Sequence, residues 1–155
     1  MNSLEKLVLL SEVDKSYIAG FINGEGCISI TKRTDKEYLC GHSFISNLRV
    51  VNTNLSILEW LKNKTGVGVI LKSNIILPRC KDRYEWKVAT LQAVNVCRTI
   101  LPFLKIKNRQ VEILIEFQKL KDENKQNGTR GVPPERWQKQ EILRNEIHLL
   151  NKKGK

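Results

Sequence analysis

The stretch Tyr17-Ile18-Ala19-Gly20-Phe21-Ile22-Asn23-Gly24-Glu25-Gly26 narrows most sharply what this chain can fold into. It has the make-up of an apolar helix with two glycines four residues apart and one acid at its end. Gly20 and Gly24 stack on one helix face and leave a track where a second backbone can approach closely. Glycine inside a helix costs about 0.5–1 kcal/mol relative to alanine, so two on one face want a reason. Ile18 and Ile22 form a second row, Tyr17 and Phe21 a third, and so wide an apolar surface implies burial on most sides. Glu25 precedes Gly26 at a natural helix stop. There the negative pole of the helix dipole disfavours an anion and favours a bound cation. Two readings fit this spacing: a core helix whose last residue reaches solvent, or a close helix–helix contact that delivers an acidic metal ligand.

Charge bears on that choice. The 155 residues carry a net charge of +11, a balance that points towards a polyanion, most simply nucleic acid. An anionic membrane surface would want a basic amphipathic helix with bulky apolar residues opposite; none stands out, and no membrane partner is expected. The charge is also unevenly placed: residues 1–26 hold 2 basic and 4 acidic side chains, residues 27–90 hold 11 and 5. An acidic helical start is followed by a basic region, which suits a buried element with the binding surface beyond it. The length is right for a single domain over 1–155, with one proper core. Cys27, Cys40, Cys80 and Cys97 form no C-x-x-C pair, a weak case for zinc. With no signal segment and no apolar run long enough to span a bilayer, an intracellular setting is expected, in cytoplasm or nucleoid or in an organelle.

After Gly26 the period changes from helical to two. Ile28 and Ile30 alternate with Ser29, Thr31 and Arg33; over 43–51, Asn47 and Arg49 alternate with Leu48 and Val50. Asn52-Thr53-Asn54 reads as a cap for a helix carrying Leu55, Leu58 and Leu61. Strands are expected at 67–72 and 83–90, with Tyr84, Trp86 and Val88 facing one way and Arg83, Glu85 and Lys87 the other. Several strands with one cationic face make an extended basic sheet, and a twisted β-ribbon fits the major groove of DNA. A helix over 91–101, a turn at Pro102 and a helix with Val111, Leu114, Ile115 and Phe117 follow. An exposed loop is expected over 121–136, and a last helix over 135–151 with Trp137, Ile142, Leu143, Ile147 and Leu150 as its stripe. A short helical lead-in over 3–13, with Ser3 as its cap, precedes the central helix, itself capped by Asp14 or Ser16. The chain is therefore of the α+β class.

Ile18 to Gly26 resembles the nine-residue motif of the LAGLIDADG homing endonucleases, and the order of elements over about 14–122 resembles that family's α-β-β-α-β-β-α core with an antiparallel DNA-binding sheet. The C-terminal helix lies outside the core. The resemblance implies that Glu25 is the catalytic acid and, with the Gly24 carbonyl, a metal ligand. Asn23 stands where the family usually has Asp. Pro102 to Lys107 resembles the loop that carries the family's active-site lysine, here Lys107, and Asn52 matches a polar position that organises active-site solvent. The basic face would bind DNA through Ser29, Thr31, Arg33, Asn47, Arg49, Lys72, Arg83, Glu85 and Lys87. Because the motif occurs once, two chains would have to cross at Ala19, Gly20, Asn23 and Gly24 to cut both strands, forming a homodimer. The implied cofactor is Mg2+, with Mn2+ able to substitute and Ca2+ supporting binding without cleavage. The implied partner is double-stranded DNA with a long, nearly palindromic target, cut across the minor groove to leave short 3′ overhangs, and the short single domain favours an intron-encoded frame.

Other classes fit the sequence less well. Glu85-Trp86-Lys87 has the E-x-K form of restriction-type nucleases, but an acid at the end of an earlier strand is missing, since Asp82 is too close and Glu59 falls in a helix. The stronger alternative within the same fold is an intron RNA maturase or a DNA-binding protein that no longer cleaves.

Overall fold

A computed structural model describes residues 1–37, 41–73, 78–124 and 134–153. Helix α1 (Ser3–Val8) is capped by Asn2 rather than Ser3: Asn2 accepts the Glu5 amide while the Glu5 carboxylate reaches back to the Asn2 amide, a reciprocal capping box. Only Leu7 of this short helix is buried; Leu4 and Val8 face solvent. Helix α2 (Glu12–Glu25) starts earlier than expected, because the Ser11 hydroxyl takes the Asp14 amide at 3.1 Å and so supplies the cap. Asp14 is left free to pair with Lys64 at 2.8 Å, which ties the start of α2 to α3 (Leu55–Thr65).

The chain passes from α2 into strand β1 (Gly26–Thr34) without a loop. Strands β2 (His42–Asn52), β3 (Val69–Lys72) and β4 (Tyr84–Ala89) complete one sheet in the order β1-β2-β4-β3, each neighbouring pair antiparallel. Asn54 caps α3, accepting from the Ser56 amide at 3.0 Å, and Gly66 ends that helix in the left-handed conformation (φ 70), the usual glycine terminus. Helix α4 (Thr90–Ile100), a 3-10 turn over Leu101–Phe103, α5 (Asn108–Asn124) and α6 (Pro134–Lys153) follow. The element order over α2 to α4 is the expected α-β-β-α-β-β-α, with α1 before it and α5 and α6 after. The positions Cys40, Gly128 and Gly131 and most of the loop expected over 121–136 lie outside the described residues.

The helices pack on one face of the sheet. Ile28, Ile30, Phe44, Leu48, Val50, Trp86 and Val88 meet Ile18, Ile22, Leu58, Leu61 and the buried rows of α4 and α5 in one core. Trp86 is fully buried and still satisfied: its indole N–H donates to the Val67 carbonyl at 3.0 Å. Helix α6 is fastened to β1. Lys32 pairs with Glu141 at 3.1 Å and lies over the Trp137 ring, and the Asn151 amide donates to the Ile28 carbonyl at 2.9 Å. The stripe of α6 packs as expected at Trp137, Leu143, Ile147 and Leu150, but Ile142 is exposed and Gln140 is buried in its stead. The helix is rotated so that Gln140, Ile147 and the bonded Asn151 face inward.

Candidate active site and nucleic-acid face

Glu25 is the last helical residue of α2 and is exposed. Its position is fixed by its neighbours. Gly26 is extended (φ −80, ψ 147), and its amide donates to the Ile22 carbonyl. A Cβ at Gly26 would lie 2.7 Å from both the Ile22 carbonyl oxygen and its side chain, so only glycine allows the strand to leave this close to the helix. Lys107 approaches from the turn before α5. Its ammonium donates to the Ile22 carbonyl at 2.9 Å and to the Gly26 carbonyl, a cation at the negative pole of the helix. Partial burial pushes the Lys107 pKa down, against the pull of Cys27 and Glu25 nearby. The Ile106 amide donates to the Asn23 side-chain oxygen at 3.2 Å. The sixth motif position thus staples α2 to the same turn, a task for which a neutral amide serves as well as a carboxylate.

Glu25 opens onto a shallow cleft of 350 Å³ shared with Val51, Asn52, Thr53 and Arg83. The Asn52 side-chain oxygen accepts from the Asn54 amide at 2.8 Å, so this oxygen is used in the turn into α3. Arg83 was expected only on the binding surface, whereas the fold places it in the cleft with the acid.

The outward face of the sheet follows from register. Cys27 pairs with Arg49, Arg49 with Lys87, and Lys87 with Val69, which makes one row across all four strands. The next row is Val51, Glu85 and Leu71. Ser29, Thr31 and Arg33 continue the face along β1, and Arg49 approaches Glu85 at 3.8 Å. Two expected members depart from this picture. Asn47 lies on this face but is only 5% exposed, its amide donating to the Thr31 hydroxyl at 2.8 Å and to the Ile45 carbonyl at 3.1 Å. It braces the β1–β2 pair and leaves Thr31 to face outward. Lys72 pairs in register with Tyr84, hence on the helix side of the sheet, and is bound to Asp82 at 2.8 Å. The run Val69-Ile70-Leu71-Lys72 has three apolar residues in succession, so its sequence does not reveal which parity faces out; pairing with β4 decides it. Val51, Val69 and Leu71 on the outward face were not anticipated.

Along α2 the buried row is Ile18, Ala19 and Ile22, while Val13, Tyr17, Gly20 and Gly24 are exposed. The helix is therefore not covered on most sides within one chain. A Cβ built at Gly20 or Gly24 meets nothing within 4 Å. Ala19 packs its methyl in the chain's own core, away from the glycine row with which it was grouped. Beside that row, a 720 Å³ groove between α2 and α3 is lined by Val13, Tyr17, Phe21, Ile57 and Trp60, with Tyr17 edge-on to Trp60 at 5.1 Å.

The donors at the end of α2 are oxygens only, the Glu25 carboxylate and the terminal carbonyls of the helix, which suits a hard divalent cation and not zinc. Among the described residues no group of three or more His, Cys, Asp or Glu side chains could hold a metal. One chain supplies a partial shell, as fits magnesium, which keeps waters and takes the remainder from phosphates. Among the described residues no helix is long and apolar enough to cross a membrane.

A family model described as LAGLIDADG endonuclease matches residues 18–124. Among solved structures, the homing endonuclease I-CvuI bound to the I-CreI target in the presence of Mg, its DNA not cleaved, superposes with a TM-score of 0.76 at 21% identity, over 90% of this chain and 82% of that one. The same enzyme with its own target in Ca gives 0.75 at 20% identity, over 89% and 82%. The archaeal intron-encoded homing endonuclease I-Vdi141I complexed with DNA gives 0.74 at 20% identity, over 90% and 84%. At these identities the likeness speaks for the fold. No curated protein matched by sequence. With the motif, the sheet and α5 all inside a match that spans more than half of its length, the chain belongs to the LAGLIDADG endonuclease family.

Proposed function

We propose that this protein is a homodimeric, magnesium-dependent endonuclease that cuts both strands of a long, nearly palindromic DNA site and leaves short 3′ overhangs. The observation that carries this reading is the junction at Glu25. An exposed carboxylate stands where the helix meets a cationic sheet face, beside a glycine row with open space above it. Two chains related by a two-fold axis and crossing at Gly20 and Gly24 bring both Glu25 side chains to the middle of the site. Glu25 and the Gly24 carbonyl would hold the metal, which when bound supplies Lewis-acid stabilisation of the scissile phosphate. Lys107 has two of its ammonium hydrogens on main-chain carbonyls; the third is free for the phosphate or an attacking water. Asn52 lines the cleft with its side-chain oxygen held by the Asn54 amide, which leaves its amide nitrogen as the group to order solvent, and Arg83 holds the backbone phosphate that enters the cleft. Arg33, Arg49 and Lys87 fix the duplex on the sheet. Mn2+ would substitute for Mg2+, and Ca2+ would permit docking without cutting.

The test is selection of bound duplexes from a random library in calcium, followed by magnesium. A two-fold symmetric consensus cut on both strands by the native chain, bound but uncut by Glu25→Gln, is the expected result. Cleavage by Glu25→Gln would remove this mechanism. A consensus that the native chain never cuts would mark a DNA-binding protein, and no consensus would send the search to intron RNA.

A further inference from the structure

The outward sheet face is not uniformly polar. Val51, Val69 and Leu71 are 45%, 53% and 49% exposed and belong to it by register, flanking Glu85 and Lys87 of β4. Strand β3, which contributes two of the three, has four residues and forms an end of the strand order. Edge strands are ordinarily blunted with charge, and this one instead presents a valine and a leucine to solvent. The rest of the face carries Arg49 and Lys87 in the adjoining row. Three apolar side chains, two of them flanking Glu85 and the third beside Lys87 of the cationic row, suit a surface that is anionic at its borders and carries methyl and amino groups within. The major groove of DNA has that character where thymine C5-methyl groups line it between the phosphate backbones. RNA does not: its A-form major groove is too deep and narrow for side chains to read, and uracil lacks the methyl.

We infer that Val51, Val69 and Leu71 read thymine methyl groups, so that each half-site carries thymine where β3 and the end of β2 enter the major groove. This rests on the DNA-endonuclease reading above and adds the base composition that the site demands. Glu85 in the same row is placed to accept from a cytosine amino group next to those thymines.

Duplexes enriched by the full-length protein in calcium are resynthesised with deoxyuridine replacing thymidine, one position at a time, and their affinities compared. Each methyl buried against the trio is worth about fourfold in affinity, so one or two positions per half-site should weaken by that factor, the others remaining unchanged. In Leu71→Ala, whose exposed side chain is not needed for folding, the thymidine duplex should bind more weakly and the uridine effect at its position should disappear. Val69→Ala should erase the effect at a neighbouring position instead. A duplex that is enriched and cleaved but indifferent to every uridine replacement overturns this inference alone, as does an unchanged uridine effect in both variants. Failure to enrich any duplex removes the endonuclease reading and this inference with it.

Discussion

Replacing Gly20 with alanine should raise the stability of one chain and weaken the association of two. Inside a helix alanine is favoured over glycine by about 0.5–1 kcal/mol. That gain is usually offset where the glycine was retained for lack of room. Here a Cβ at Gly20 meets nothing within 4 Å, so within the protomer no offset exists. For a chain of this size the gain corresponds to a rise in Tm of about 1–4 °C. The native protein should also melt at higher temperature as its concentration increases, because association stabilises the folded form by mass action. The two proteins are compared by thermal unfolding, followed by tryptophan fluorescence, from nanomolar to tens of micromolar. Gly20→Ala should start higher in the dilute limit and gain less with concentration, and Gly20→Leu should sediment as a monomer without cutting activity. A lower Tm for Gly20→Ala in the dilute limit would mean that the glycine serves the protomer itself. A fully dimeric, active Gly20→Leu would move the interface off this face of α2.

Other substitutions probe the scaffold. Gly68 has φ +87, and a Cβ there would fall 2.6 Å from the Trp86 indole nitrogen and 2.8 Å from the Lys87 carbonyl; since Trp86 is held by Val67 and cannot retreat, Gly68→Ala should cost about 2–4 kcal/mol in urea unfolding, and a loss under 1 kcal/mol would contradict this packing. Thr90 opens α4 at φ 59, a strained conformation for a β-branched residue, so Thr90→Gly should stabilise by about 1 kcal/mol and raise Tm accordingly. Lys121 donates to the Phe44 carbonyl at 2.8 Å, and burial pushes its pKa below the ordinary 10.5, with Asp122 pulling the other way. The unfolded chain then holds this proton more tightly than the folded one, so stability from this group rises with pH between the folded pKa and 10.5. Subtracting the stability curve of Lys121→Met from the native one should show that rise, and parallel curves would refute it.

The strands were legible because their period was unambiguous. Ile28 and Ile30, Leu48 and Val50, and Trp86 and Val88 all lie on the buried face that their alternation assigned. Legibility stopped where the pattern was degenerate or the deciding group lay far along the chain. Val69-Ile70-Leu71 offers no alternation, and the parity of Lys72 came from β4. Asn47 had the right parity for a DNA contact, but nothing in its neighbourhood announced that Thr31, sixteen residues away, would take its amide. In α6 the stripe was legible at Trp137, Leu143, Ile147 and Leu150 and failed at Ile142, because the inward face also takes Gln140 and Asn151, the latter bonded to the Ile28 carbonyl across 123 residues. At the proposed site, the motif put Glu25 at the end of α2, and the turn before α5 brings Lys107 to the same helix end. That Lys107 would grip the carbonyls of Ile22 and Gly26, and that Arg83 would share the cleft, are facts of tertiary geometry that single-residue matching does not contain.

The bonds that fix the end of α2 have a particular kind of partner. Asn23 and Lys107 engage main-chain groups, the Ile106 amide and the Ile22 and Gly26 carbonyls, and main-chain groups do not change when side chains mutate. The outward residues of the sheet can therefore be exchanged one at a time while the acid keeps its place. On the function proposed above, a lineage of such chains can drift from one sequence of bases to another without passing through ancestors that have lost their chemistry. For the engineer the same separation means that retargeting belongs on the outward positions of β1 to β4, and that the turn from Leu104 to Lys107 is the part to leave alone.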